Sequence, residues 1–462
     1  MILPKQLLTY VARHSRLTLL GLISIGIYCW LALNSQAYGQ LKLMQLLSAV
    51  LPLFLFSIYL CRHYANKPTE EFPIVLMLCF ACGFRLCGIL TFPILEDDFF
   101  RFLWDGRMSI ETGTPYGWIP ANFFNDLSIN DAFEEVLGGI NHPDVATIYA
   151  PVNQAVFALS YLIAPGEVWP LQLIYATIDC SLLLLLLRLA KPHIVMLYAW
   201  SPLIIKEFSI SVHPDVLGAF FLIAAFFLYT KNTKGAWFWI PIFLALATGV
   251  KIFALIAVPL LLRLQWRSWV VWFLSLILIA LPFTNLSTTD QALWLQIKQI
   301  WFPEALQVMS SNWIFNAPFY YLTNSLLVPF DVTKIFLLSV FAISAIAYFF
   351  YLYLRRQQLP IRVDLLYGLF FLCIPAINPW YLVWLLPFAV IYPSRWAWIA
   401  SFTIFLAYVT GINLNNSELE LYQHNGWVIV VEFGLIALAL LFDLIENRST
   451  GQRNHCQPID ST

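Results

Sequence analysis

Long apolar runs separated by short polar breaks occupy most of the chain. A helix needs about 20 mostly apolar residues to cross the hydrocarbon core of a bilayer, and shorter runs suffice where neighbouring helices cover them. The pattern therefore predicts an all-α polytopic membrane protein, a bundle of about 12–14 transmembrane helices. The predicted spans are about 16–35, 43–61, 73–95, 171–189, 193–206, 213–230, 236–250, 251–263, 268–284, 333–354, 363–376, 379–392, 395–413 and 427–445.

Two weaker apolar runs, 152–164 and 315–329, are short and adjoin polar loops. A segment that enters the membrane without spanning it is tolerated where other parts of the protein cover its backbone. We therefore interpret both runs as re-entrant or half-buried elements. The apolar run that starts near residue 16 continues to Leu33 without a small-residue cleavage site. We therefore expect a retained first span and not a removed signal peptide.

The composition strengthens the membrane assignment and excludes other classes. The 462 residues are 60% hydrophobic and 11% charged, with a mean hydropathy of +0.75, whereas soluble proteins carry about 25% charged residues. The 25 Lys+Arg and 26 Asp+Glu nearly balance, so the chain lacks the basic excess of a nucleic-acid-binding protein. We expect a single integral membrane domain over 1–462 with no nucleic-acid partner.

The cysteine pattern does not predict a metal site. Cys79 and Cys82 form a CxxC within an apolar run, and no second pair or nearby histidine completes a zinc site. We interpret both residues as small packed side chains in a span. No metal and no cofactor is predicted.

The basic residues predict how the chain is oriented. Lysines and arginines collect on one side of the predicted spans if both termini are cytoplasmic. The opposite side then receives a first external loop at 95–151 and a second external loop at 285–332. Because the first loop is too long for a plain connector, we expect the working site on the external side.

Charged and aromatic residues alternate at the start of the first external loop, in LEDDFFRFLWDGR. If this segment is helical, Asp97, Arg101 and Asp105 lie at i, i+4 and i+8 and can pair along one face. A carboxylate near an arginine is favoured in its ionised form, which suits a base. The alternative for Asp97 and Asp98 is a solvated helix end.

Later residues of the same loop are weaker candidates. Asp105 and Arg107 either contribute to the site or form a salt-bridged helix C-terminus with Gly106 in the left-handed conformation. His142 either contacts a phosphate or packs in a turn. Tyr149 is expected to shape the return of the chain into the membrane.

Ionisable residues also interrupt two later apolar segments. Lys206, Glu207, His213 and Asp215 lie in a polar turn between two predicted spans, where each charge at membrane depth costs about 2.5–3.5 kcal/mol on insertion scales. The alternative is a self-neutralised cluster that only closes the turn. Lys251 either neutralises a lipid phosphate as a point charge or snorkels to the interface.

The turn at Asn378 and Trp380 is the last candidate, and by itself a weak one. It joins two short predicted spans on the external side. Its alternative interpretation is a tight turn with interfacial aromatic anchors.

Five sequence blocks together resemble a known family. They are EDDFFRFLWDGR with a following TPY, then NHPDVATIYAPVNQ, SPLIIKEFSISVHPD, GVKIFALIAVPLLL and INPWYLVWLLP. In this order they resemble the C-type (GT-C) polyprenyl-phosphate-sugar-dependent glycosyltransferases, and more closely bacterial mannosyltransferase-like members. The resemblance covers about 90–390.

The resemblance implies a fold, a location and an activity. It implies a GT-C-like bundle in a bacterial plasma membrane, with membrane-parallel helices in the first external loop. The implied reaction is inverting transfer of a hexose, with mannose as the first choice, from a polyprenyl-phosphate donor to a glycan or lipid acceptor. The absence of a nucleotide-binding loop or Rossmann fingerprint in the sequence also argues against a nucleotide-sugar donor.

The resemblance also implies roles for individual residues. One carboxylate of the pair Asp97 and Asp98 acts as the base that deprotonates the acceptor hydroxyl, with Asp97 as the first choice. Basic and polar residues of later external turns face the donor. The substrate-binding candidates are Arg101, Asp105, Arg107, His142, Lys206, His213, Asp215, Lys251, Asn378 and Trp380.

Two other classes remain open at this point. A lipid or glycolipid transporter, or flippase, would also bury ionisable residues and use broken helices, although it predicts an internal repeat that the sequence does not clearly contain. A non-catalytic assembly protein with a degenerate fold is the other alternative. Retention of activity after neutralisation of Asp97 and Asp98 would favour it.

Overall fold

A computed structural model describes residues 9–37, 39–284, 291–304, 306, 313–326, 331–355, 360–416 and 418–449. These residues are helical and contain no strand, apart from one isolated bridge between Phe315 and Ala376. The chain divides into two compact units, Met1–Trp313 and Ile314–Thr462. Parts of the predicted second external loop, at 285–290, 305, 307–312 and 327–330, lie outside the described residues.

The first unit is built from helices joined by short turns and one long loop. Its α-helices are α1 (Ser15–Asn34), α2 (Leu43–Ala65), α3 (Ile74–Ile89), α4 (Asp98–Glu111), α5 (Asp131–Gly138), α6 (Pro151–Ile163), α7 (Trp169–Leu186), α8 (Pro192–Ala199), α9 (Asp215–Lys231), α10 (Ala236–Thr248), α11 (Val258–Leu262), α12 (Trp266–Ala280) and α13 (Leu293–Trp301).

The second unit is also helical. Its α-helices are α14 (Pro318–Leu326), α15 (Asp331–Leu354), α16 (Val363–Cys373), α17 (Leu386–Ile391), α18 (Arg395–Thr403), α19 (Gly411–Leu414) and α20 (Gly426–Ser449).

The predicted fold class, an all-α polytopic membrane protein, is confirmed. Six described helical segments have the length and apolar character of membrane spans. A seventh is counted if the bent pair Pro202–Ile210 and Asp215–Lys231 is one broken span. The six are Ser15–Asn34, Leu43–Ala65, Trp169–Leu186, Trp266–Phe283, Val332–Leu354 and Gly426–Glu446.

Six or seven continuous spans are fewer than the 12–14 that the apolar runs predict, because several runs are broken. The run at 251–263 divides into a 3-10 helix, Ile252–Ile256, and the short helix α11, which has Pro259 in its first turn. The run at 379–392 divides in the same way before α17, with Pro387 in its first turn. Proline removes a backbone donor, so it is tolerated where a helix begins but ends the helix before it.

Buried polar contacts join the helices of the first unit. The guanidinium of Arg85 on α3 lies 2.6 Å from Oδ2 of Asp179 on α7, and both side chains are fully buried. Tyr198 of α8 donates a 2.7 Å hydrogen bond to the other oxygen of Asp179. A charge buried in lipid needs such a partner, so this triad fixes how three helices pack.

Helices α4 and α6 approach each other closely. The backbone of Gly106 on α4 packs on the carbonyl of Phe157 on α6, and the ring of Phe102 stacks on Phe157 at 4.7 Å. Gly106 lies within α4 and not at its end, and it does not adopt a positive φ. The alternative prediction of a left-handed Gly106 that ends this helix is therefore wrong.

The two weaker apolar runs form helices. Helix α6 covers the first run up to Ile163, and α14 lies within the second run. At a rise of about 1.5 Å per residue, the 13 residues of α6 extend only about 20 Å, which is less than the hydrocarbon core.

Candidate functional site

The two adjacent aspartates lie where the chain turns into α4. Asp97 occupies the N-cap position of the helix and Asp98 is its first residue. A negative charge is favoured at this end of a helix by the backbone dipole. The turn itself is strained, because Leu95 adopts a φ of 57°, a conformation that costs a non-glycine residue about 1–3 kcal/mol.

Two residues from the far end of the loop at 95–151 contact the aspartates. Nδ2 of Asn141 lies 2.8 Å from Oδ1 of Asp97 and 3.3 Å from Oδ1 of Asp98. The hydroxyl of Tyr149 lies 3.3 Å from Oδ2 of Asp98. By surface area both aspartates are half-buried residues.

The environment raises the pKa of these acids instead of lowering it. Burial, followed by repulsion from Asp98, raises the pKa of Asp97 to about 6. Burial also raises the pKa of Asp98, and it raises that of Glu96 against the opposing effect of Lys206. The expectation that a neighbouring arginine favours the ionised carboxylates is therefore wrong for this pair.

Arg101 holds the loop and does not form the predicted ion pairs along the helix face. Its NH2 group donates to the carbonyl oxygens of His142 at 2.7 Å and Val145 at 2.9 Å. The side chain is 8% exposed. By fixing these carbonyls, Arg101 helps to keep Asn141 beside the aspartates.

Asp105 contributes to the same attachment from within the protein. Its carboxylate is buried and accepts hydrogen bonds from Thr147 and from Gln154, the latter at 3.0 Å. Burial raises its pKa and the nearby Arg101 lowers it. Thr147 in turn accepts from the backbone N–H of Tyr149 at 3.2 Å. Asp105 therefore positions the loop that carries Tyr149.

Arg107 lies at the opposite end of α4 from the aspartates. It forms a 2.8 Å ion pair with Glu111, and its guanidinium lies 4.8 Å from the ring centroid of Phe133. Nine residues of helix separate it from Asp98, or about 13 Å along the axis. The structure does not bring Arg107 to the aspartate pair.

A second group of ionisable residues lies on the break in the seventh candidate span. Lys206 and Glu207 belong to a π-helix, Ile205–Ile210, a form that is often found at functional sites. Nζ of Lys206 lies 3.3 Å from Oε1 of Glu207, and Nε2 of His213 lies 3.5 Å from Oε2. All three side chains are buried.

The backbone is strained at this break as well. Val212 adopts a φ of 55° directly before His213. This is a rare conformation for a β-branched residue, and it persists only where the surrounding structure imposes it. The two helical segments meet here at 116°. Strain therefore occurs next to both ionisable groups.

Lys251 is the more accessible cation of the group. Its Nζ lies 2.9 Å from Oδ1 and 3.3 Å from Oδ2 of Asp215, the first residue of α9. The Lys251 side chain is 25% exposed, whereas that of Asp215 is 2% exposed. Lys251 is thus open to a ligand on one side while Asp215 holds it on the other.

These groups lie within electrostatic range of the acids at the start of α4. The charges of Lys251 and His142 both act to lower the pKa of Asp98, and Lys206 acts in the same way on Glu96. The ring of Phe102 on α4 lies 4.9 Å from that of Tyr149 and 6.5 Å from that of His213.

The site contains residues that the sequence did not single out. The sequence gives Tyr149 only a role in the return of the chain into the membrane, and it indicates no site role for Asn141, Glu96 or Glu207. A signal existed for Asn141 and Glu207, since each adjoins a selected residue. No local pattern predicts the hydroxyl of Tyr149 at Asp98, because 51 positions separate the two residues.

Two further candidates lie in the second unit. Asn378 caps a 3-10 helix, Pro379–Trp384, and the ring of Trp380 packs edge-on against Tyr381 at 5.9 Å. Both side chains are half-buried.

In the first unit, the ring of His142 packs edge-on against Trp313 at 6.1 Å.

Side chains that could bind a metal ion are not grouped together in the described residues. In the part of the chain that the structure describes, no three His, Cys, Asp or Glu side chains are grouped so that they could hold a metal ion.

Comparison with known proteins identifies no relative. No protein-family model matches the chain, and no curated protein or solved structure is significantly similar to it.

Proposed function

We propose that this protein is a membrane-embedded glycosyltransferase that moves a hexose from a polyprenyl-phosphate donor to a glycan or lipid acceptor. The observation that carries the proposal is the pair Asp97 and Asp98, partly exposed at the start of α4 with Lys251 close enough to act on the pKa of Asp98. The order of the five sequence blocks supports the same class.

The chemistry requires one base and one cationic group. An ionised aspartate takes the proton of the acceptor hydroxyl, the hydroxyl oxygen bonds to the anomeric carbon, and the polyprenyl phosphate leaves with the bond electrons. Asp97 is the first choice of base, because a pKa of about 6 leaves it mostly ionised but still basic near neutral pH. Lys251 stabilises the charge on the departing phosphate.

The remaining details of the proposal follow from the resemblance and from the distribution of basic residues along the chain. Mannose is the first-choice sugar and attack on the anomeric carbon inverts its configuration. The site faces the external side of a bacterial plasma membrane, with both termini in the cytoplasm. Lys206 and His213 are more deeply buried than Lys251, so we assign them to supporting the donor phosphate and not to first contact with it.

Sugar transfer by the purified protein tests this proposal. The assay supplies radiolabelled polyprenyl-phosphate mannose and a membrane glycolipid extract in detergent, and compares wild type with Asp97→Asn and Asp98→Asn. The matched control is Asp126→Asn, which neutralises an exposed aspartate of the same loop. We expect transfer by wild type and control, and a loss of about 10²–10⁴-fold in the variant that lacks the base. Wild-type rates in both site variants would contradict the mechanism.

One observation favours a second candidate, a lipid or glycolipid transporter. The bent pair Pro202–Ile210 and Asp215–Lys231 carries buried Lys206 and Glu207 at its break, and broken helices with buried ionisable residues are common at transporter binding sites. Reconstituted liposomes distinguish the two functions. Translocation of a fluorescent polyprenyl-linked sugar without any transfer to acceptor would favour the transporter.

A further inference from the structure

A cavity of about 540 Å³ lies at the opposite ends of helices α9 and α10 from the candidate site. It is lined by the last turn of α9, the first turn of α10, and the chain between α11 and α12. Asp215 begins α9 and Lys231 ends it, so about 25 Å of helix separates this cavity from the aspartate and lysine of the candidate site. The cavity therefore has no part in the proposed transfer reaction.

Arg263 is the cation that lines this cavity. Its NH2 group donates to the hydroxyl of Tyr229, and its guanidinium lies 4.9 Å from the centroid of the Tyr229 ring. Among the described residues, no carboxylate lies within 4.0 Å of the guanidinium, and the buried Nε atom has no hydrogen-bond partner. Arg263 lines the cavity, so an anion there would supply the charged partner that its guanidinium lacks.

The backbone fixes Arg263 in this position. The residue adopts a φ of 55°, its N–H bonds to the carbonyl of Pro259 at 3.0 Å, and its own carbonyl accepts 2.7 Å from Nε1 of Trp269. Strain of this kind persists where the rest of the structure holds it. The backbone of Arg263 is thus held in place before any ligand arrives, and the hydrogen bond to Tyr229 orients its guanidinium.

The charge around the cavity is positive and is not balanced locally. Between Asp215 and Asp290 the sequence contains no acidic residue, but it has five basic ones, and all of these except Lys251, which pairs with Asp215, lie between 231 and 267 at this end of the helices. Lys231, the last residue of α9, and Lys234, on the turn that follows it, are both exposed beside the cavity. Such basic clusters at helix ends attract anionic lipid headgroups.

The surface beside the cavity has the composition of a membrane interface. Trp237 and Trp239 in the first turn of α10 are each 50% exposed, and Trp266 at the start of α12 is 69% exposed. Tryptophan is enriched at the level of the lipid headgroups. Thr233 and Gln265 add polar groups to the cavity lining. A ligand bound here would have its charged group beside Arg263 and its apolar part beside the tryptophans.

We propose that this cavity binds the phosphate headgroup of an anionic membrane phospholipid, with the Arg263 guanidinium as its main contact. The lipid fits better than a soluble phosphate, because the exposed tryptophans beside the cavity would contact its acyl chains. The site holds the ends of α9, α10 and α12 together when occupied.

Lipid retention and thermal stability test the proposal on the full chain. Protein in phosphatidylcholine nanodiscs, with and without phosphatidylglycerol, is analysed by native mass spectrometry and by tryptophan-fluorescence melting. Arg263→Gln removes the proposed contact, and Arg267→Gln is the matched control, since it removes the same charge four residues away without changing the lining. A third sample replaces phosphatidylglycerol with inorganic phosphate at constant ionic strength.

We expect wild type and Arg267→Gln to retain phosphatidylglycerol and melt at higher temperature in its presence. Arg263→Gln should retain it about tenfold less, as for the loss of one charge-assisted hydrogen bond. If Arg263→Gln does not fold, Thr233→Val removes a hydroxyl of the lining and carries the same comparison. Retention by folded Arg263→Gln at the wild-type level, or an equal loss in Arg267→Gln, would overturn the site. If inorganic phosphate raised the melting temperature as much as phosphatidylglycerol does, and this rise also depended on Arg263, the proposal that the ligand is a lipid would be overturned.

Discussion

The side-chain amide of Asn141 donates a 2.8 Å hydrogen bond to Oδ1 of Asp97, across 44 positions of the chain. This contact counteracts the burial and the repulsion from Asp98 that raise the pKa of Asp97 to about 6. Asn141 therefore sets how much of Asp97 is ionised near neutral pH. The fold of the loop at 95–151 and the acidity of Asp97 are linked by this one hydrogen bond.

The pH dependence of transfer tests this link. If Asp97 is the base, activity rises with pH as Asp97 loses its proton. Asn141→Ala should move this rising limb to higher pH by roughly one unit, because it removes a hydrogen bond that favours the charged form. The measurement is initial transfer rate between about pH 5 and about pH 8. Asn122→Ala, at an exposed asparagine of the same loop, is the control. If the rise of the transfer rate with pH were unchanged in Asn141→Ala, Asp97 would not be the base.

Neutralising Asp97 should stabilise the fold while it abolishes activity. The folded-state pKa of Asp97, about 6, exceeds its ordinary value of 3.8. The protonated side chain therefore contributes to the stability of the fold at pH values below 3.8, and this contribution is lost as the pH rises through about 6. Above that pH the charged form is strained by burial and by Asp98. We expect Asp97→Asn to raise the free energy of unfolding by about 1–2 kcal/mol near neutral pH.

Thermal melting of wild type and Asp97→Asn at two pH values checks this sign. The gain should appear near neutral pH and shrink near about pH 4, where wild-type Asp97 is protonated in the folded protein. A destabilised Asp97→Asn at neutral pH would show that the carboxylate contributes to folding as an ion.

Continuous apolar runs were well predicted from the sequence, and interrupted runs were not. The runs at 16–35 and 43–61 closely match α1 and α2. A long apolar run without internal breaks satisfies all its backbone hydrogen bonds in lipid by forming one continuous helix. The run at 251–263 has the same composition, but it divides before Pro259. An average of hydropathy over a run does not detect such a break, so it predicts one continuous span where the structure contains two short helices.

The residues proposed for the candidate site are visible in the sequence, whereas their hydrogen-bond partners are not. Asp97, Asp98 and Lys251 stand out as charges beside apolar runs, and this local contrast is visible in a sequence. The partner of Arg101 was expected four residues away on the same helix, but the side chain instead reaches carbonyls more than 40 positions away. Burial of the acids also depends on packing, so the direction of their pKa shifts was predicted wrongly.

The ion pair between Lys251 and Asp215 should matter for donor binding as well as for stability. Lys251→Met leaves the buried Asp215 without its cation, and we expect a loss of about 2–3 kcal/mol of stability. The same change removes the cation proposed for the donor phosphate, so donor affinity should fall about tenfold. The measurements are thermal melting and binding of a fluorescent polyprenyl-phosphate sugar.

A matched control separates these two effects. Arg362 pairs with Asp364 at 2.6 Å, and here too the cation is partly exposed and the carboxylate is buried. Arg362→Gln should lower stability to a similar extent and leave donor binding unchanged. Equal weakening of donor binding by both variants would mean that Lys251 acts only through the stability of the fold.

The contact between α4 and α6 gives a prediction that does not depend on the reaction. A methyl group at Gly106 would overlap the carbonyl of Phe157, whose carbon would lie 2.8 Å away. Backbone cannot move aside as a side chain can, so Gly106→Ala should cost about 1–3 kcal/mol despite the higher helix propensity of alanine. Gly138→Ala is the control, since its added methyl group would meet nothing within 4 Å, and alanine should be neutral or slightly stabilising there. Thermal melting in detergent compares the two variants, and equal stabilities would show that α4 and α6 can separate without cost.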